Sequence, residues 1–150
     1  PGAPTIYYGD EAGVCGWTDP DNRRTYPWGR EDKELIDFHR DVIKMHKSCE
    51  VLMSGSYKQL LSEYNLISYA RFNRDDVVIV IINNSPEERR TKVPVWEAGL
   101  PYNSDVEQIF VTYENGYSTA RLGYTLSGGW LDIGLRAKSA VVLKKLNNQI

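Results

Sequence analysis

Residues 66–85 read LISYARFNRDDVVIVIINNS, and their texture sets the fold class. Val77 to Ile82 is β-branched throughout and far shorter than the ~20 residues needed to span a bilayer, which makes it a strand buried on both faces. The turn-forming Asn73-Arg74-Asp75-Asp76 separates it from a second strand pattern, Leu66 to Phe72, and Asn83-Asn84-Ser85-Pro86 closes it on the other side. Working outward, the same short β-rich texture recurs at Tyr57–Leu61, Thr91–Val95, Val106–Val111, Gly123–Leu126, Trp130–Leu135 and Ala140–Leu146, with Ser127-Gly128-Gly129 as a further turn. About eight short strands with no long helix among them predict a mainly β fold, an antiparallel Greek-key-type β-sandwich of roughly a hundred residues.

Upstream of residue 53 the period changes. From Asp32 onward Leu35, Phe38, Val42 and Met45 fall on one helical face that Ile36 and Ile43 widen. Asp32 is placed to cap the N-terminus, and Lys44, His46 and Lys47 lie near the C-terminal carbonyls, where positive charge is favourable. Before the helix come a strand-like run, Pro4 to Tyr8, and a polar loop, Gly9 to Arg30. Strand, loop and helix in that order make one unit of a β/α barrel.

The 150 residues contain 41% hydrophobic and 25% charged residues, enough apolar material for one sizeable core. A formal charge of -2, with no basic run, excludes a nucleic-acid or anionic-membrane partner on electrostatic grounds. Localisation stays open. Cys15 and Cys49 lack metal or redox spacing and read as thiols that are partly buried. His39 and His46 read as helix-surface residues, and no Asp/Asn cluster has calcium-loop spacing, so neither metal nor cofactor is expected.

The run Gly2-Ala3-Pro4-Thr5-Ile6-Tyr7-Tyr8-Gly9-Asp10-Glu11 resembles the eighth-strand motif of the alpha-amylase family of glycoside hydrolases. Asp19-Pro20-Asp21-Asn22-Arg23-Arg24 and Pro27-Trp28 are similar to the loop that follows in neopullulanases and cyclomaltodextrinases. Ala70-Arg71-Phe72 through Asn83-Asn84-Ser85, and Ala137 to Leu143, resemble the start and the closing strand of that family's C-terminal sandwich. The resemblance implies a C-terminal fragment, with residues 1–52 as the last strand, loop and helix of the catalytic barrel and residues 53–150 as the sandwich.

In that family, a retaining pair of carboxyl groups ~5 Å apart does the chemistry, and the resemblance places it on earlier barrel strands. No catalytic residue is assigned here, and Asp10, Glu11 and Asp19 are not put in those places. Asp19 and Arg23 match positions that hydrogen-bond a glucose unit on the non-reducing side of the cleavage point. A carboxylate accepting from vicinal hydroxyls and a guanidinium donating a fork of N–H bonds suit one sugar ring. The bland alternative is an Asp–Arg pair that only braces the turn. Glu11 is expected to tie down the loop as a buried carboxylate, and Tyr7 and Tyr8 to point to opposite faces of their strand. Trp17, Trp28, Trp96 and Trp130 have the right chemistry to stack on sugars, but burial is their expected fate.

By resemblance, the intact parent acts on an alpha-glucan or maltooligosaccharide, and the chain buttresses the barrel and forms part of the cleft. Two other readings stand beside it: an independent carbohydrate-binding β-sandwich module, and a family relative without catalysis. The partners expected are the N-terminal part of the catalytic barrel and, with the helix face and strand edge uncovered, a second copy associating through residues 1–50.

Overall fold

The computed structural model describes residues 2–146; Pro1 and residues 147–150, at the outer ends of the two expected segments, lie outside the described residues. The chain divides between Ser48 and Cys49 into two compact units.

The first unit is loop and helix. The helix α1 spans Lys33–Ser48. Its N-terminus is capped as the sequence predicts: Asp32 Oδ1 accepts from Leu35 N–H at 3.0 Å. None of its residues is fully buried. The strand expected at Pro4 to Tyr8 is not formed, because no described segment pairs with it and an extended run becomes a strand only through inter-strand hydrogen bonds. The chain instead turns at Tyr7-Tyr8 into a 3-10 turn, Asp10–Ala12, with Gly9 (φ 87°) and Gly13 (φ 76°) in the left-handed region on either side. Tyr7 and Tyr8 therefore do not alternate. Both are exposed, with ring centroids 4.7 Å apart, and Tyr8 Oη–H donates to Arg24 O at 3.0 Å.

The second unit is a β-sandwich led in by a short helix, α2, Glu50–Ser54. Its strands are β1 (Ser56–Glu63), β2 (Leu66–Phe72), β3 (Val77–Asn83), β4 (Arg89–Pro94), β5 (Asp105–Tyr113), β6 (Gly116–Ser118), β7 (Leu122–Thr125), β8 (Trp130–Leu135) and β9 (Ser139–Lys145). Every expected strand of this unit is present within a residue or two at each end. The short β6, a three-residue hairpin partner of β5, has too few residues for alternation to show. All pairings are antiparallel. The layers are unequal: a seven-stranded sheet in the order β1-β2-β3-β9-β5-β6, with β7 also on β5, faces a two-stranded sheet of β4 and β8.

The core lies between the two sheets. Val77, Ile79 and Ile81 of β3 meet Val93 of β4 and Leu131, Ile133 and Leu135 of β8 in one cluster with Val141 and Leu143 of β9. Along β8 the burial alternates strictly, Leu131, Ile133 and Leu135 inward and Trp130, Asp132 and Gly134 outward, as a strand wet on one face must. β3 does not alternate. It is central in its sheet and α2 lies against the face that β4 and β8 do not cover, so Val78 and Val80 are buried as well and the run is apolar throughout.

Two buried polar side chains tie chain segments together. Arg71, in β2, donates from Nε and Nη2 to Gly55 O (3.2 and 2.8 Å) and from Nη1 to Leu52 O (3.1 Å), filling the open carbonyls at the end of α2. Asn83, at the end of β3, donates from Nδ2 to Glu87 O (2.9 Å) and Arg136 O (2.8 Å) and accepts from Ser85 N–H (3.1 Å). It clamps the loop after β3 to the loop before β9. Ser68 is the contrary case, a buried hydroxyl with no hydrogen-bond partner.

These two environments predict opposite effects in one experiment. Ser68→Ala removes an unpaired buried hydroxyl and is expected to raise stability by about 1 kcal/mol, whereas Asn83→Ala strands two carbonyls and an N–H and is expected to lower it by about 2–4 kcal/mol. Urea midpoints followed by far-UV circular dichroism check both, and a shift of the same sign in the two variants would contradict the assignment.

Candidate functional site

The loop that carries the sequence-predicted site is folded by its own backbone. Gly16 approaches so closely that an added Cβ would sit 2.7 Å from Asn22 Cα and 2.9 Å from Asp21 O, so only glycine lets the chain cross there. The crossing is held by Asp21 N–H to Thr18 O (2.9 Å) and Arg23 N–H to Pro20 O (3.0 Å), which form the 3-10 turn Asp21–Arg23. The Asp19–Pro20 peptide bond is cis.

On this turn two Asp–Arg pairs stand side by side with different surroundings. Asp21 does the bracing: its Oδ2 accepts from Trp17 N–H (2.9 Å), and its Oδ1 accepts from Arg24 Nε and Nη2 (2.9 and 2.6 Å). The Arg24 hydrogen bonds, followed by the one from Trp17, hold the Asp21 carboxyl below the ordinary carboxylate range. The bonds that need its charge are therefore present above that range and are lost as the pH falls through the depressed value.

The structure brings Asp19 and Arg23 together. Arg23 Nε donates to Asp19 Oδ1 at 3.2 Å and Nη2 to Oδ2 at 2.7 Å, a parallel fork exposed on both side chains. An exposed i,i+4 pair contributes little stability, about 0–1 kcal/mol, and Asp19 makes no hydrogen bond to the backbone of its own turn. The fork presents carboxylate oxygens and guanidinium N–H groups on one edge, a donor–acceptor set that suits vicinal hydroxyls.

The sequence reading singled out Asp19 and Arg23 and missed the roles of Asp21 and Arg24. Their i,i+3 spacing on a tight turn was the available signal. Glu11 ties down the loop through Gly9 N–H to Oε2 at 3.0 Å, and it is half-buried. The tryptophans depart from expectation. Trp17 and Trp28 are 83% and 81% exposed, since this unit has no sheet under which to bury them. Trp28 contacts Tyr26, with tilted rings whose centroids are 4.6 Å apart and its backbone N–H donating to Tyr26 O at 3.0 Å. Trp96 and Trp130 are exposed too, because each faces outward from a well-filled core.

Cys15 is exposed and Cys49 buried. His39 Nδ1 lies 2.8 Å from Leu35 O on its own helix. Among the described residues no group of three or more His, Cys, Asp or Glu is placed to hold a metal ion, and no helix is long and apolar enough to cross a membrane. An open depression of about 540 Å³ lies behind the loop, lined by residues 12–15 and by Arg24, Thr25, Pro27 and Arg30; Asp19 and Arg23 are not part of its wall.

No family model matches the chain. Relatives match clearly. The chain is 32% identical over 157 aligned positions to an amylopullulanase of Thermoanaerobacterium saccharolyticum, an alignment covering 95% of this chain and 11% of the relative. It is 38% identical over 87 positions to a cyclomaltodextrinase of a Bacillus species, covering 55% of this chain and 16% of the relative. Among solved structures, the alpha-amylase of Geobacillus thermoleovorans, crystallised with acarbose, superposes with a TM-score of 0.83 at 24% identity, over 99% of this chain and 31% of that one, which shows a shared fold. The chain thus spans only about a tenth and a sixth of the length of these two curated relatives. Aligned over 95% of its length with an amylopullulanase at 32% identity and sharing the alpha-amylase fold, the chain belongs to the alpha-amylase family of glycoside hydrolases.

Proposed function

We propose that this chain is the C-terminal part of a hydrolase that cleaves or transfers α-1,4 or α-1,6 glucosidic bonds by the retaining route. Residues 1–52 then complete the catalytic barrel and residues 53–150 buttress it. The retaining pair, carboxyl groups ~5 Å apart, lies on barrel strands outside this sequence. The chain contributes one wall of the cleft, where Asp19 and Arg23 hold a glucose unit on the non-reducing side of the scissile bond.

The observation that carries this reading is the division of labour on the turn. Asp21 and Arg24 supply the bracing, with bonds to backbone and side chain alike, while the Asp19–Arg23 fork stays exposed. A pair needed only for bracing would be redundant beside Asp21. The incompletely covered apolar face of α1 supports the barrel placement, because an amphipathic helix of this kind is stable when its stripe meets a neighbour.

In the intact enzyme, Asp19→Ala and Arg23→Ala are expected to weaken binding or turnover of longer maltooligosaccharides by about 1–3 kcal/mol, the range for losing a hydrogen bond to a charged group. Asp21→Ala is expected to loosen the loop as well, so its loss comes with faster proteolysis between residues 15 and 30. Chain-length profiles of kcat/KM read the first effect, and equal profiles for the Asp19 and Arg23 variants and the parent enzyme would remove the sugar-contact role.

The purified chain is expected to release no reducing sugar from starch, pullulan or cyclodextrin above a no-protein control. Through the incompletely covered face of α1, residues 1–50 are expected to bring two copies together. Light scattering behind size exclusion reads this as a dimer, and a monomer with those residues rapidly cleaved would rule the association out.

A further inference from the structure

We propose a second α-glucan contact on the sandwich itself, an aromatic platform formed by Trp96 and Tyr102 on either side of Gly129. It rests on the α-glucan reading above and is separate from the Asp19–Arg23 loop. The platform is built by backbone. Trp96 N–H donates to Gly129 O at 3.1 Å, and Gly129 N–H donates to Tyr102 O at 2.8 Å, so the two aromatic residues are hydrogen-bonded through the same glycine.

Gly129 is buried, with φ 85°. An added Cβ there would lie 2.5 Å from Tyr102 Cδ1, 2.8 Å from Trp96 Cβ and 2.9 Å from Trp96 Cδ1. The rings are thus seated against bare backbone while their outer surfaces stay in solvent, 43% exposed for Trp96 and 60% for Tyr102. Trp130, the next residue, is 45% exposed. Large aromatic side chains fixed in place but left half uncovered add little to a core and suit recognition, because little entropy is lost when a ligand meets them.

The chemistry of the surroundings selects the occupant. Residues 98–104 and 126–130, the two segments that carry Tyr102 and Gly129, contain no charged side chain, and Glu97 is paired with Lys58 at 3.1 Å. A neutral ligand is favoured over a nucleic acid or a charged peptide. Asn103, whose Oδ1 accepts from Gly128 N–H at 3.4 Å, is exposed and supplies amide N–H donors at the rim. The two rings are inclined at 45° with centroids 6.4 Å apart. Inclined rings match successive pyranoses of a curved α-1,4-linked chain, whose apolar faces turn relative to one another, better than the flat ribbon of a β-1,4-linked chain.

The test is calorimetric titration of the full 150-residue chain with maltoheptaose, and with cellohexaose as the flat comparator. Trp96→Ala, which keeps the Cβ beside Gly129, and Tyr102→Ala are each expected to weaken maltoheptaose binding about tenfold or more, while Tyr64→Ala, at an exposed ring on another turn of the sandwich, leaves it unchanged and cellohexaose binds more weakly throughout. Circular dichroism and urea midpoints matching the parent chain confirm that the variants fold, and quenching of tryptophan fluorescence by maltoheptaose in a Trp17→Phe/Trp28→Phe chain reports on the platform without truncating it. Unchanged binding in both platform variants, or loss in Tyr64→Ala alone, overturns the platform and leaves the cleft reading standing. Absence of maltoheptaose binding, with self-association that Trp96→Ala weakens, also overturns it and makes this face a protein contact. Failure of the intact enzyme to act on any α-glucan is a separate result that defeats the cleft reading.

Discussion

The sandwich depends on the pairing of β9. This strand lies between β3 and β5, matching Val78 to Asn83 on one side and Val106 to Val111 on the other. Without it, the β1-β2-β3 meander and β5 with its two partners β6 and β7 are separate groups with no strand pairing from one sheet half to the other. Val141 and Leu143 also complete the inner face of the core. The closing step is therefore non-local: residues near the end of the domain join strands formed some sixty and thirty positions earlier, and the entropy of that closure is offset only once apolar surface on both sides is covered.

Asn83 and Arg71 make sense in that light. Each is a polar side chain buried where two segments distant in sequence meet, and each spends its donors on backbone carbonyls that would otherwise be unsatisfied. Asn83 aligns the loop after β3 with the approach to β9, so it guards the same junction that the sheet relies on. Arg71 seats α2 against the sheet through the last carbonyls of that helix. Their presence in the runs that resemble the family's sandwich therefore has a mechanical reason, independent of any ligand.

The two proposed sugar contacts are ordered by different routes. In the loop unit the order is local: a glycine crossing and a 3-10 turn, with one braced carboxylate, hold the Asp19–Arg23 fork at the surface. On the sandwich the order is inherited from the sheets, which bring residues 96, 102 and 129 together from three connections. The two proposals, polar recognition in one place and ring stacking in the other, are complementary ways to hold a polymer whose sugars have a hydroxyl edge and an apolar face.

Features with short-range causes were legible in the amino-acid sequence. The α1 helix with its Asp32 cap, the β3 run and the hairpin turns each follow from periodicity, capping or turn residues within a few positions. So was the closeness of Asp19 and Arg23, four positions apart on a turn; their contact with a sugar is a proposal. What the sequence alone could not decide was everything set by a distant partner. The strand at residues 4–8 failed because strand structure needs a neighbour; β9 found its place between β3 and β5, and the two-stranded β4–β8 layer formed, by pairings across tens of residues. Composition predicts buried tryptophans, yet whether a ring is covered depends on what the fold places above it. Over Trp17, Trp28, Trp96 and Trp130 this fold leaves solvent.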